Sequence, residues 1–373
     1  MIDNGGMATV LLAGDVMLGR GVDQILPHPG DPTLHERSVD DARVYVELAE
    51  HTHGEFAHPV DFDHPWGDVL PILAQVDPEV RLINLETAIT ADDAFAPAKG
   101  IHYRMNPANV PVLTAIAPVV CALANNHILD FGIRGLADTV ETLDTAGIQR
   151  AGAGADSDDA RTPAVTKIDD GRRVVIVSVG AGSSGVPQYW SARADRPGLW
   201  WIGDSPNIRA ADEVAAEVLA HKRNDDIAIV SIHWGPNWGY GVPYSERQFA
   251  HRLIDAGIDV VHGHSAHHPR PIEIYHGKPI LYGCGDAIDD YEGIRGYERY
   301  RPDLRLLYLV SIDPGAMETR MIPLRIRHMR LQSATHDDSQ WLCETIEYIS
   351  RDFGTRVVPR PDGLPAVFKT AQH

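Results

Sequence analysis

Side chains of the kinds that hold metal ions or move protons recur where short apolar runs of this chain end. They are Asp15, Glu86, Asn125, Asn126, His127, His233, His264, His267 and Asp286. Imidazole, carboxylate and amide oxygen together suit a divalent cation such as Mn²⁺, Zn²⁺ or Fe²⁺. Such an ion lowers the pKa of bound water and polarises a phosphoryl or carbonyl oxygen, while a histidine outside the ligand set moves a proton. We therefore predict a metal-assisted hydrolytic site.

Several members of this set have a purely structural interpretation when they are taken singly. Asp15 and Glu86 are of the residue types that cap turns or helices, and His233 could be a hydrogen-bonded core residue. His264 with His267 is the sharpest single signal. The joint pattern is stronger than any of its members.

Three polar side chains leave one apolar run together, as Asn125, Asn126 and His127. Polar groups at the exit of a buried strand are costly unless they are paired or used, which favours a functional role. We place His262 on the opposite face of the strand that carries His264, and interpret it as structural.

These residues have to be positioned by the strands and helices between them. The runs that predict strands are rich in Val, Ile and Leu, as in strands buried on both faces: Thr9–Gly14, Val80–Glu86, Val119–Ala124, Arg173–Gly180, Ile227–His233, Asp259–His264 and Pro279–Gly283. The segments that predict helices are Val69–Gln75, Asn109–Ala117, Ile133–Ala146, Asn207–Lys222 and Ser245–Ala256. This alternation predicts an α/β fold, in which the carboxyl ends of strands meet at one rim.

The C-terminal third changes character. Leu306–Asp313 and Glu318–Met329 predict paired strands, and Ser339–Arg351 predicts a closing helix. The His- and Pro-rich stretch 27–68 predicts an insertion, either a lid or a loop. We therefore expect one domain with a peripheral insertion.

The composition excludes several classes of protein. The chain has 33 Lys and Arg against 52 Asp and Glu, a net charge of −19, whereas nucleic-acid binding needs clustered basic residues. Cys121, Cys284 and Cys343 are too scattered for a disulfide framework or a thiolate zinc site. No run approaches the roughly 18 apolar residues of a membrane span, and no export signal precedes the first strand. We expect a cytoplasmic protein, free or peripheral at the inner face of the membrane.

Six motifs resemble those of the CapA-type capsule-synthesis proteins, poly-γ-glutamate biosynthesis accessory proteins related to calcineurin-like metallophosphoesterases. In order they are GDVMLGR (Gly14–Arg20), INLET (Ile83–Thr87), ANNHILDFG (Ala124–Gly132), GAGAD (Gly152–Asp156), HWG (His233–Gly235) and GHSAHHPRPIEIYHGKPILYGCGD (Gly263–Asp286). The resemblance runs from about Met7 to Tyr291. The sequences of these motifs are most similar to those of the mycobacterial and actinobacterial polyglutamine synthesis accessory proteins.

The resemblance implies a four-layer metallophosphoesterase-like α/β (α+β) fold, with two mixed β-sheets sandwiched between helices. It would span residues 7–330, with 27–68 as insertion or lid and with the C-terminal helix and tail, 331–373, packed on the same domain. The implied metal ligands are Asp15, Glu86, Asn126, His233, His264 and His267. The implied catalytic residues are His127, as the proton donor, and Asn126. The implied substrate-binding residues are Arg20, Arg104, Asn125 and Asp286, and the arginines would hold a carboxylate or phosphate by a bidentate fork unless they form structural ion pairs.

The chain departs from the phosphoesterase pattern at several ligand positions. Met17 stands where those enzymes have the histidine of Asp-x-His, Glu86 stands for an aspartate, and His264 and His267 are one residue further apart than usual. Gly283-Cys284-Gly285-Asp286 stands where the family usually has Ser-x-Gly-Asn after the last core strand. The expected cofactor is a divalent metal, as one or two ions, and these departures count against a bimetallic phosphatase centre and favour one metal ion or none.

The implied function is an accessory role in the biosynthesis of a polyglutamate or polyglutamine cell-wall or capsule polymer. The enzyme would be a metal-dependent hydrolase acting on an amide or phosphoester of the polymer or its precursor. The expected partners are the polymer and its synthase and export proteins. Two alternatives stay open: a non-catalytic polymer- or nucleotide-binding assembly factor with the same pocket, and a phosphomonoester hydrolase unconnected with polymers.

Overall fold

A computed structural model of the chain describes residues 7–97, 99–291, 296–313 and 316–370. In chain order, the strands of these residues are β1 (Ala8–Val16), β2 (Val80–Leu85), β3 (Ala88–Ile89), β4 (Arg104–Met105), β5 (Val119–Ala122), β6 (Gln149–Ala151), β7 (Ala153–Gly154), β8 (Ala164–Lys167), β9 (Arg173–Gly180), β10 (Gly198–Leu199), β11 (Ile227–His233), β12 (Val260–His264), β13 (Ile272–Tyr275), β14 (Lys278–Leu281), β15 (Asp286–Ile288), β16 (Leu304–Asp313), β17 (Ala316–Arg327), β18 (Arg330–Ser333), β19 (Thr355–Val358) and β20 (Ala366–Lys369).

The α-helices of the same residues are α1 (Gly21–Ile25), α2 (Arg43–His53), α3 (Val69–Val76), α4 (Pro111–Thr114), α5 (Gly132–Thr145), α6 (Ser157–Arg161), α7 (Ile208–His221), α8 (Tyr244–Ala256) and α9 (His336–Ser350). Short 3₁₀ turns lie at Pro107–Asn109, Gly182–Ser184, Gln188–Trp190, Glu298–Tyr300 and Arg351–Phe353. Asn207 caps α7 by accepting the N–H of Ala210, and Thr335 caps α9 by accepting the N–H of Asp338.

The helix predicted over Asn109–Ala117 is wrong as one element. The structure has a 3₁₀ turn there, then the single turn α4. Pro111 occupies the first position of α4, where its missing N–H is harmless. Ala117 precedes Pro118, and a residue before proline is disfavoured in a helix, so no helix here could extend through Ala117.

Two mixed sheets carry the fold. The first has the strand order β19-β20-β17-β16-β1-β2-β5-β6, with β15 paired to β1 and β18 paired to β17. The second has the order β13-β14-β12-β11-β9-β8. β1, β2, β5 and β6 run parallel in the first sheet, and β9, β11, β12 and β14 run parallel in the second.

The sheets pack face to face and helices cover their outer faces. Alternation along β1 shows this, because Leu12 packs in a cluster with Ile176 of the second sheet while Leu11 packs in a cluster with Leu136 of α5. On the far side, Val230 packs in a third cluster with residues of α7 and α8. The expected α/β architecture, with two mixed sheets sandwiched between helices, is confirmed.

The stretch 27–68 contains α2, which we did not predict, and its Phe56, Val60 and Phe62 pack against the core of the first sheet. Throughout the described residues, no helix combines the length and the apolar character that crossing a bilayer requires.

Candidate metal centre

The strands of both sheets bring their carboxyl ends to one region of the molecule. In the first sheet, Asp15 of β1 lies beside Asn84 of β2 and beside Asp286 of β15. In the second sheet, His233 at the end of β11 pairs in register with His264 at the end of β12. The rim that we expected therefore exists, but both sheets contribute to it.

Asp15, His233 and His264 form a compact buried group. One possible ligand atom from each lies within 4.8 Å of the others. The two Nδ1 atoms of His233 and His264 are 3.0 Å apart, and His264 Nδ1 is 3.6 Å from Asp15 Oδ1. Glu86 borders the group, because its Oε2 is 3.9 Å from His233 Nδ1. Four residues that we predicted as metal ligands are thus brought together.

Asn84 sets the spacing of the two carboxylates. Its Nδ2 donates to Asp15 Oδ1 at 2.7 Å and to Glu86 Oε2 at 2.9 Å. The side-chain oxygen of Asn84, Oδ1, accepts a hydrogen bond from Asn125 Nδ2 at 3.0 Å. Asn125 therefore orients the side chain of Asn84, which in turn hydrogen-bonds to both carboxylates. These contacts do not themselves place Asn125 at a substrate. Asn84 was not among our predicted site residues, although a polar residue within a buried run was the available signal.

Burial raises the pKa values of both carboxylic acids of the group, Asp15 and Glu86. Burial and the nearby Asp286 carboxylate raise the pKa of Asp15 from its ordinary 3.8 to about 7. Burial and the Asp15 carboxylate raise the pKa of Glu86 well above its usual range. Among the described residues, neither Asp15 nor Glu86 forms an ion pair with a lysine or arginine, and the basic side chains within 4 Å of their carboxyl oxygens are histidines.

Burial lowers the pKa values of His233 and His264 well below the usual histidine range, so both imidazoles are neutral. Neutral imidazole and carboxylate are the ligands that Mn²⁺, Zn²⁺ and Fe²⁺ accept in proteins. The donor set therefore fits one divalent cation.

Asn126 lies behind His233. Its Oδ1 is 3.1 Å from His233 Nε2, so a proton on Nε2 would leave the Nδ1 lone pair facing Asp15 and Glu86. This contact orients a predicted ligand, and the roles of Asn126 as a ligand and a catalytic residue stay predictions.

His127 forms a dyad at the edge of the group. Its Nδ1 is 2.7 Å from Asp130 Oδ2, and its Nε2 is 3.7 Å from Glu86 Oε1. Lys99 also pairs with Asp130 and donates to the carbonyl oxygen of Asn126. Burial lowers the pKa of His127 to about 4, so its imidazole is neutral and accepts a proton before it can donate one. Neither Asp130 nor Lys99 was among our predicted site residues, although Asp130 follows His127 at a spacing of three.

His267 and Asp286 form an ion pair beside the group rather than within it. His267 Nδ1 is 3.0 Å from Asp286 Oδ1, and its Nε2 is 3.2 Å from Asn237 Nδ2. Burial lowers the pKa of His267, but the Asp286 carboxylate more than offsets this and raises it. Both nitrogens of this predicted ligand are therefore engaged elsewhere.

The placement of His262 on the opposite face from His264 is wrong. Residues two apart in a strand share a face, and the two ring centroids are 5.2 Å apart. His262 is fully buried behind His264.

Arg20 is committed to the protein itself. Its guanidinium pairs with Asp290 through Nε at 3.1 Å and through Nη2. Its Nη1 donates to Glu36 Oε1 at 2.8 Å and to the Tyr45 hydroxyl at 3.0 Å. Arg20 is 3% exposed, and it fastens the insertion to the segment after β15.

Arg104 has partners of its own. Its Nη1 donates to the carbonyl oxygen of Asp92 at 2.8 Å and to Asp93 Oδ1 at 2.5 Å, and its Nη2 donates to the carbonyl oxygen of Asp31 at 3.1 Å. For Arg20 and Arg104 these contacts match the structural ion-pair interpretation, and substrate binding by either stays a prediction that they do not support.

Comparison with known proteins gives concordant matches. A family model described as bacterial capsule synthesis protein PGA_cap matches residues 9–291. A probable polyglutamine synthesis accessory protein of Mycobacterium tuberculosis is 60% identical over 374 residues, covering 100% of this chain and 98% of that protein. The PGA biosynthesis protein CapA of Bacillus subtilis is 26% identical over 301 residues, covering 79% of this chain and 66% of that protein. The crystal structure of TT1561 of Thermus thermophilus aligns with a TM-score of 0.36 and 9% identity, over 82% of this chain and 99% of that one. A TM-score this low does not support any inference from that structure to this chain.

Proposed function

The chain belongs to the family of bacterial capsule synthesis proteins, and we propose that it is an accessory factor in the synthesis of a glutamine- or glutamate-containing polymer. It would act there as a metal-dependent hydrolase, beside the proteins that polymerise and export the chain. The relatives support the biological role, because one is named for polyglutamine synthesis and another for PGA biosynthesis.

One observation carries the hydrolase proposal. Asp15, Glu86, His233 and His264 bring two acids and two neutral imidazoles together in a buried site, and among the described residues the acids have no lysine or arginine ion pair. Buried charges are tolerated when they are paired or when they coordinate a metal. A divalent cation at this point would satisfy all four side chains.

The surrounding residues supply the proton chemistry. A divalent ion held by the four ligands would activate a water molecule and polarise the carbonyl oxygen of the scissile bond. His127, with its Nδ1 proton held by Asp130, presents the Nε2 lone pair toward the Glu86 side of the site. It would accept a proton there and pass it to the leaving nitrogen. Lys99 keeps Asp130 ionised, since the pKa of Asp130 is lowered by His127 and Lys99 despite its burial.

The bond cleaved is an amide rather than a phosphoester in this proposal. Phosphate recognition favours arginines with free, forked donors, whereas Arg20 and Arg104 are both paired within the protein. The net charge of −19 also disfavours a polyanionic ligand and favours an uncharged glutamine polymer.

The test combines metal content with hydrolysis of short γ-linked glutamine and glutamate oligomers, monitored by mass spectrometry. We expect about one Mn²⁺ or Zn²⁺ per chain and metal-dependent cleavage, with the glutamine oligomer preferred. Asp15→Asn should lose both properties. The matched control is His102→Gln, which alters a buried histidine whose Nε2 contacts Ala96 in a loop outside the ligand group, and it should keep both. Cleavage that persists in metal-free protein would contradict the proposal.

A non-catalytic assembly factor is the second candidate, and an aromatic surface favours it. Trp238 stacks on Tyr297 with ring centroids 4.2 Å apart, and it lies 5.4 Å from the ring of His267. Such faces pack well against the methylene groups of a polymer side chain. Oligomer binding without cleavage, in protein that holds its metal, would select this candidate. Turnover of phosphomonoesters alone would instead select a phosphatase unconnected with polymers.

A further inference from the structure

The hydrogen bonds behind His264 form a continuous chain that ends on the main chain of the other sheet. His264 Nε2 is 2.9 Å from Ser231 Oγ, and Ser231 Oγ is 3.0 Å from His262 Nδ1. His262 Nε2 is 2.9 Å from the carbonyl oxygen of Ala13. His262, Ser231 and His264 are all fully buried.

The last member of this chain fixes the proton on every other member. A carbonyl oxygen can only accept, so His262 must carry its proton on Nε2 and donate it to Ala13. His262 Nδ1 is then an acceptor, and the Ser231 hydroxyl donates to it. Ser231 Oγ is therefore left to accept from His264 Nε2–H. His264 thus has its proton on Nε2 and a bare lone pair on Nδ1.

That lone pair is aimed at the candidate metal centre. His264 Nδ1 lies 3.6 Å from Asp15 Oδ1 and 3.0 Å from His233 Nδ1. The strand register produces the arrangement, because Ser231 pairs with His262 and His233 pairs with His264 on adjacent parallel strands. Residues two apart share a face, so these four side chains form a two-by-two array that faces the first sheet.

We propose that Ser231 and His262 are positioning residues that lock His264 into the tautomer able to ligate a metal through Nδ1. The tautomer follows from the hydrogen bonds alone, whereas its use in metal binding rests on the proposed function. Without this chain of hydrogen bonds, His264 can place its proton on Nδ1 and donate it to His233 Nδ1, which is 3.0 Å away. A proton would then occupy the position that the cation needs.

Each variant alters one residue of this series of hydrogen bonds. Ser231→Ala removes the relaying hydroxyl, and Ser231→Thr restores one. His262→Leu removes both ring nitrogens, whereas His262→Gln keeps a donor for Ala13 and an acceptor for Ser231. The matched control is Ser178→Ala, because Ser178 is fully buried and sits beside Ser231 on the neighbouring strand, but its hydroxyl accepts from the N–H of Ala124. Circular dichroism and thermal unfolding confirm that each variant is folded.

The first measurement is made on metal-free protein, so it does not depend on the proposed function. In protein with ¹⁵N-labelled histidine, the ring nitrogen shifts of His264 report which nitrogen carries the proton. We expect the proton on Nε2 in the unaltered chain and in Ser178→Ala, and a mixed or reversed tautomer in Ser231→Ala and His262→Leu. A proton on His264 Nδ1 in the unaltered chain would overturn the inference.

The second measurement is Mn²⁺ affinity by calorimetry. Loss of a residue that orients a metal ligand typically weakens binding 10- to 100-fold, so we expect about that loss in Ser231→Ala and His262→Leu. Ser231→Thr and His262→Gln should recover most of the affinity, and Ser178→Ala should change it less than about twofold. If Ser231→Ala binds Mn²⁺ as tightly as Ser178→Ala does, the positioning role is wrong. If the unaltered chain binds no metal but shows the expected tautomer, the inference about the hydrogen bonds stands and the proposed hydrolase falls.

Discussion

Asp15 gives the metal-free protein an unusual dependence of stability on pH. Burial raises its pKa from 3.8 to about 7, so the folded state binds a proton that the unfolded state has lost. The contribution of this group is fully present below pH 3.8 and is lost as the pH rises toward about 7. At about 1.4 kcal/mol per pH unit, the shift corresponds to a loss of about 4 kcal/mol. The raised pKa of Glu86 acts with the same sign.

Asp15→Asn removes this titration while preserving the shape of the side chain. An unfolding entropy of about 2.1 cal/mol/K per residue implies about 0.8 kcal/mol/K for the 373-residue chain. The loss of about 4 kcal/mol then lowers Tm by about 5 °C between pH 4 and pH 8. We expect the metal-free variant to lack this part of the decline, and therefore to be more stable than the unaltered protein at pH 8.

The assay is calorimetric or fluorescence-detected unfolding in EDTA, at intervals from pH 4 to pH 8.5, repeated with Mn²⁺. Mn²⁺ should stabilise the unaltered protein more at pH 8 than at pH 5.5, because binding requires ionised acids, and it should not stabilise Asp15→Asn. Equal slopes for the two metal-free proteins would refute the assignment of a buried, protonated Asp15.

Three further outcomes follow from the geometry. Asp130→Asn replaces a carboxylate that can only accept a hydrogen bond with an amide that can donate one to His127 Nδ1, which favours the wrong tautomer, so hydrolysis should fall by about 10²- to 10⁴-fold. Metal content, measured by mass spectrometry, should stay unchanged. Arg20→Gln leaves buried acids without their cation and should lower the free energy of unfolding in urea by about 3–5 kcal/mol, with metal content again preserved. His264→Ala should abolish Mn²⁺ binding in equilibrium dialysis, whereas His267→Ala should weaken it less than about tenfold, and the opposite ranking would show that His267 is the ligand.

The parts of the fold that sequence predicted well are those that local pattern determines. Arg173–Gly180 and Ile227–His233 were predicted to the residue, because both are apolar runs buried on both faces. Helix α2 was missed because the stretch 27–68 that contains it is rich in His, Glu and Pro. The few apolar side chains of the helix gain stability from packing on the rest of the molecule. Tertiary contacts of this kind have no signature in a short window of sequence.

The site shows the same division. The convergence of Asp15, His233 and His264 followed from strand ends. The sequence did not predict ion pairs between residues far apart in the chain, such as Arg20 and Asp290, which are separated by 270 residues. The assignment of His262 failed for a different reason, since the period of two along a strand already places it with His264.

The central claim is that Asp15, Glu86, His233 and His264 hold one divalent cation. Anomalous diffraction from crystals grown with Mn²⁺ tests it most directly. We expect a single strong peak within coordination distance of both Nδ1 atoms and of an Asp15 oxygen. A map with no peak among these side chains, or with the ion bound through the Nε2 atoms of the histidines, would contradict the account.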